Sequence, residues 1–138
     1  LPQVREFAKR KPDNVGGLFE ELLKEGHAVM AFEFTEPWLD IGSFQTYIAA
    51  HKLVVGENVL QGEGSTMTNT KCEGSVVVGP NCRISNAELK DCIVFTGANI
   101  ENCTLTRCIV DDGCILEGVD LKDKMLRSGT TLILNNER

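Results

Sequence analysis

Between residues 75 and 122 the large aliphatic side chains recur at intervals of six, five and five residues. Aligned in lines of sixteen, three columns stay aliphatic throughout: Val78, Val94 and Val110; Ile84, Ile100 and Leu116; Leu89, Leu105 and Leu121. Three inward aliphatics per line predict three flat faces, and therefore triangular 16-residue coils stacked at the strand spacing of ~4.8 Å. An α-helix is excluded, because a six-residue interval does not return to one face of a helix of roughly 3.6 residues per turn.

Side chains alternate along a strand, so the residue two before each aliphatic also points inward. Those positions hold Val76, Cys92 and Cys108; Cys82, Ala98 and Cys114; Ala87, Cys103 and Val119, all small. Five of the six cysteines fall in these columns, where a thiol acts as a small buried hydrophobe. A zinc site is disfavoured, since no C-x-x-C is present and both histidines, His27 and His51, precede the cysteines. A turn column of Asn81, Gly97, Gly113 and Gly129 adds residues that tolerate positive φ at the same period. Leu126 and Leu132 carry two columns into a further coil, and Glu137 breaks the third, so 123–138 is expected to be a partial cap. Extending the register upstream puts Gly62, Thr68 and Glu73 in the columns, which predicts an irregular entry coil over 54–74 with inserted residues.

The chain before residue 54 follows a different pattern. Asp13 or Asn14 can cap a helix with Leu18, Leu22 and Leu23 on one face and its end at Gly26. The alternation in AVMAFEF, 28–34, predicts a strand. Ser43 is placed to cap a last helix, FQTYIAAHKLV, 44–54. One strand and two helices bury too little to stand alone, so this part is expected to pack on a preceding domain. His27 and His51 are expected at the surface near helix ends. The chain opens on Leu1 rather than Met, which fits a piece of a longer protein.

Composition narrows the function classes. The chain has 138 residues with 42% hydrophobic and 25% charged, the balance of a globular domain. A net charge of −6 argues against a nucleic-acid partner, which needs a basic surface. No apolar run approaches the ~18 residues of a membrane span, so no membrane partner is expected and a cytoplasmic location is.

The aliphatic column, the small residue two before it and the Gly/Asn turn resemble the hexapeptide-repeat family, whose β-helices are left-handed. The stretch W-L-D-I-G-S-F-Q-T-Y-I-A-A-H-K-L, 38–53, is similar to the end of the catalytic domain of sugar-1-phosphate nucleotidyltransferases. The guanylyl- and adenylyltransferase branches of that family carry a C-terminal left-handed β-helix. The resemblance implies a fold that is mainly β: a left-handed parallel β-helix over 54–138, preceded over 1–53 by a short α/β remnant of a nucleotidyltransferase domain. It also implies an enzyme joining an NTP and a sugar 1-phosphate, with Asp40 of the W-x-D-x-G motif helping to hold Mg²⁺. Such a metal takes oxygen ligands, commonly a carboxylate or two completed by phosphates and water. The family's Gly-rich loop, phosphate-binding lysine and first metal aspartate have no counterpart here, so the chain alone is expected to be inactive. Two other classes stay open. One is a non-catalytic nucleotidyltransferase-like assembly or regulatory subunit. The other, hexapeptide acyl transfer, is disfavoured because no histidine in 54–138 can serve as the base.

The residues just before the first column point outward and are apolar in every coil: Val77, Ile93, Ile109 and Met125. The corresponding rows on the other faces are mostly polar. A bare ridge of this kind is rare on monomers. It is expected to be covered, by a second copy in a homodimer or by the helices of the nucleotidyltransferase domain, the two-fold dimer being preferred.

Overall fold

A computed structural model of the chain describes residues 2–10 and 15–134. They divide into two compact units, residues 1–37 and 38–138.

The first unit holds two helices. Helix α1, Pro2–Arg10, has no counterpart in the sequence expectations, although Pro2 supplies the fixed φ that suits a first helical position. Helix α2, Val15–Lys24, is the expected one; its proposed caps Asp13 and Asn14 lie outside the described residues. It ends at Gly26, φ +78°, where Gly26 N–H donates to Leu23 C=O at 3.1 Å and His27 N–H to Leu22 C=O at 2.9 Å. That pair of bonds is a Schellman closure, which satisfies carbonyls the helix leaves open. The strand expected at 28–34 is absent. No strand pairs with these residues, and an extended chain without a neighbour has nowhere to place its N–H and C=O groups but water. Met30 and Phe32 stand 89% and 86% exposed.

In the second unit, helix α3, Phe44–Val55, leads into a parallel β-solenoid. The first coil contains β1 (Val59–Gln61), β2 (Thr66–Thr68) and β3 (Lys71–Glu73). The second contains β4 (Val76–Val78), β5 (Arg83–Ser85) and β6 (Glu88–Lys90). The third contains β7 (Ile93–Val94), β8 (Asn99–Glu101) and β9 (Thr104–Thr106), and the fourth β10 (Ile109–Val110), β11 (Ile115–Glu117) and β12 (Asp120–Lys122). A last, partial coil has β13 (Met125–Leu126) and β14 (Thr131–Ile133). Like strands stack into three sheets, β1-β4-β7-β10-β13, β2-β5-β8-β11-β14 and β3-β6-β9-β12.

The register confirms the columns. Val78 pairs with Val94 and Val94 with Val110; Ile84 with Ile100 and Ile100 with Leu116; Leu89 with Leu105. All are at most 1% exposed, and the small column between them is buried as well. All six cysteines are free thiols. Cys82, Cys92, Cys108 and Cys114 each donate to a carbonyl thirteen residues on, at 2.8–3.4 Å, so the thiols bond across the core as well as fill it.

An inserted residue is present, as expected, but the strands of the first coil are otherwise regular. Its strands pair with the next coil at an offset of seventeen: Val59 with Val76, Thr66 with Arg83, Lys71 with Glu88. Shifting by one puts Gln61, Met67 and Cys72 in the columns, and Met67 and Cys72 pack on the core. The extra residue is Ser75, between the corner at Gly74 and β4. The turn column also proves to be one of three. Positive φ recurs at Asn69, Asn86, Asn102 and Gly118, and again at Gly74, Asp91, Arg107 and Asp123, so every corner of the triangle turns through a left-handed residue.

Candidate functional site

The stretch carrying the W-x-D-x-G residues runs directly into α3. Ser43 is its N-cap, with extended φ −150° and ψ 165°. Its Oγ accepts from Thr46 N–H at 3.2 Å, while Ser43 N–H donates to Thr46 Oγ1 at 3.0 Å. This reciprocal pair is a capping box with threonine in the role usual for glutamate. It fixes where the helix begins and therefore where Asp40 leaves it.

Phe44, Tyr47 and Ile48 repeat at helical spacing and form one face of α3. That face lies on Ile93, Ile109 and Phe95 of the first sheet. A 12-residue helix is about 18 Å long, close to the ~14 Å across four stacked coils. Ile93 and Ile109 are 6% and 3% exposed. Of the two covers expected for the outward ridge, a helix is the one found over these residues, and it belongs to the same compact unit. Val77 is half-buried and Met125 is 48% exposed, so the covering is confined to the middle of the ridge.

The last turn of α3 is fastened by a polar cluster at the inserted residue. Lys52 Nζ pairs with Asp91 Oδ2 at 2.8 Å, and Asp91 Oδ1 accepts from Ser75 N–H at 3.2 Å. His51 lies 3.0 Å from Ser75 C=O through Nε2. A carbonyl only accepts, so Nε2 carries the proton. Ser75 Oγ donates to the carbonyl of Gly56, the C-cap of α3. His51 is therefore buried, not at the surface as expected. Burial alone would raise the Asp91 pKa. The Lys52 hydrogen bond, the Ser75 N–H and the charges of Lys52 and Lys90 outweigh it and hold the carboxyl below its ordinary value. None of these four residues was marked by the sequence pattern. The signal was there in the one-residue slip, which puts a surplus residue at the corner just before residue 76.

Asp40 is exposed, as are its neighbours Trp38, Leu39 and Ile41 at 72%, 41% and 51%. No group of three or more His, Cys, Asp and Glu side chains among the described residues is placed to hold a metal ion. A single exposed carboxylate does not by itself make a Mg²⁺ site, which takes several oxygen ligands. No helix among them is long and apolar enough to cross a membrane.

Residues 48–122, more than half of the chain, match the family model of the GlmU-like, C-terminal hexapeptide. Searches of curated proteins and of solved structures find no match.

Proposed function

The chain belongs to the GlmU-like, C-terminal hexapeptide family, and from that premise we propose that it is the C-terminal part of a sugar-1-phosphate nucleotidyltransferase, its solenoid serving assembly or regulation. The observation that carries this reading is an arrangement: Trp38-Leu39-Asp40-Ile41-Gly42-Ser43 stands immediately ahead of a capped helix that is docked on a hexapeptide solenoid. Exposed apolar side chains from Met30 to Ile41 fit a segment that completes a domain contributed from outside these residues. In that setting Asp40 would supply one carboxylate to a Mg²⁺ ion, the remaining ligands coming from the other domain and the substrate phosphates. A metal bound there would supply charge neutralisation for phosphoryl transfer. Acyl transfer finds less support: the coils carry no histidine, and His51 Nε2 is held by Ser75 C=O.

We further propose that solenoids pair as a homodimer. The exposed apolar side chains on the C-terminal coils lie on two faces, Met125 on the first sheet and Ile115 and Ile133 on the second; Met125, which continues the ridge, is the one a second copy would cover.

The test compares the chain alone with the longer protein that contains it. Alone, it should release no pyrophosphate from any NTP and sugar 1-phosphate. In the longer protein, Asp40→Ala should abolish Mg²⁺-dependent pyrophosphate release with an unchanged melting temperature. Turnover by the isolated chain, or near-normal rates in the variant, would sink the assignment.

A further inference from the structure

Two thiols stack directly on each other inside the solenoid. Strands β7 and β10 pair with Ile93 opposite Ile109, so the preceding residues Cys92 and Cys108 are one strand spacing apart, ~4.8 Å. That separation falls within the Cα range of about 4.4–6.8 Å that disulfides span. Both side chains are wholly buried, and each thiol donates to a carbonyl thirteen residues on, Cys92 to Leu105 and Cys108 to Leu121. The other cysteines have no such neighbour. In the adjacent coils Cys82 meets Ser65 and Ala98, Cys103 meets Ala87 and Val119, Cys114 meets Ala98 and Thr130, and Cys72 meets Leu89.

We propose that Cys92 and Cys108 are a peroxide-sensitive dithiol that closes into a disulfide between the third and fourth coils. Stacked one above the other, the two sulfurs are unequal. The neighbouring Cys92 thiol favours the thiolate of Cys108, whose pKa falls to about 7, while Cys92, beside Cys108 and more deeply buried, holds its proton more tightly than an ordinary thiol. The Cys108 thiolate attacks one oxygen of hydrogen peroxide; the O–O bond breaks, and the departing hydroxide takes up a proton to become water. Cys92 sulfur then attacks the Cys108 sulfenic sulfur. The S–O bond breaks and the departing hydroxide takes the Cys92 proton, giving a second water. Two thiols lose two protons and two electrons, and one peroxide becomes two waters. The oxidant must be small. Peroxide is close to water in size and can enter on local opening, whereas a bulky disulfide reagent has no room in a close-packed core. The bond would join covalently the two coils that present Ile93 and Ile109 to α3.

The whole chain, treated with hydrogen peroxide, then denatured, alkylated and mapped by mass spectrometry without reductant, decides the matter. The expected product is a peptide pair linked through Cys92 and Cys108, with the other four cysteines alkylated and the link reversed by reductant. Cys92→Ala should fold, because Val76 and Ala98 already occupy inward small positions, and circular dichroism checks this. In that variant Cys108 should proceed to sulfinic acid without a disulfide. The idea fails if peroxide that oxidises the denatured chain leaves both thiols untouched. It fails equally if another cysteine pair predominates, or if Cys92→Ala still loses two thiols to a disulfide.

Discussion

The Asp91 carboxylate bonds Ser75 N–H and Lys52 at once, in the space a β-carbon on Gly74 would fill. A Cβ there would come within 2.3 Å of Asp91 Oδ1, and Gly74 also sits at φ +71°, where other residues are strained. Gly74→Ala is therefore doubly costly: it displaces the carboxylate and forces a left-handed alanine. Asp91→Asn isolates the charge. It keeps the shape and removes the ion pair, which should cost ~1–3 kcal/mol, typical of a hydrogen bond to a charged group. Its pH dependence has a definite sign. The folded-state pKa of Asp91 lies below the unfolded value of about 3.9, so the contribution is complete above that value and disappears as pH falls through the folded one. Urea midpoints of the wild type and Asp91→Asn should differ at pH 7 and at pH 5, and the gap should close below pH ~4. A gap constant down to pH 2 would mean that the amide loses packing rather than charge.

Among the elements, the coils depend on the aliphatic columns and α3 depends on the coils. Ile100 lies in the middle of the stack, 0% exposed, between Ile84 and Leu116. Ile100→Ala should cost ~2–5 kcal/mol, read as a shift in the urea midpoint with little change in slope. A neutral result would mean that the column does not carry the fold. The solenoid was legible because a sixteen-residue period puts chemically identical positions on top of each other, so each column repeats its own evidence. The first coil was misread because a single residue, Ser75, shifts every column, and a one-residue slip exchanges the inward and outward sets. Of the two corner columns that went unread, one is mostly Asp and Arg (Asp91, Arg107, Asp123), which are not glycine although each adopts positive φ. The other, Asn69, Asn86, Asn102 and Gly118, carried the same Asn/Gly signal as the column that was read. The segment 28–34 shows the opposite failure. Alternating side chains made it look like a strand, but pairing needs a partner that no pattern within the segment can supply. Of the candidate site, the Ser43 cap and α3 were legible from local rules. The polar cluster of His51, Lys52, Ser75 and Asp91 was not, because it joins residues that only the fold brings together.

At the scale of the whole molecule, the outward ridge of the first sheet links packing to assembly. Four apolar side chains in a row need a cover, and α3 provides it for Ile93 and Ile109 through Ile48, Phe44 and Tyr47. A charge at either position would be buried under the helix without a partner, and the helix would have to leave to hydrate it. Replacing both Ile93 and Ile109 with Glu should therefore undock α3. The solenoid core should persist, because its inward columns are separate residues on the opposite side of the same strands. Far-UV circular dichroism should lose helical signal and retain the β component, and amides of 44–55 should exchange as in an open chain. Pairing of solenoids through the C-terminal coils would leave the mass from light scattering unchanged by these substitutions, while Met125→Glu would reduce it to that of a monomer with α3 intact. If the double variant instead keeps its helical signal and halves its mass, the ridge itself is the dimer contact, and the docking of α3 on it is not what holds the face closed.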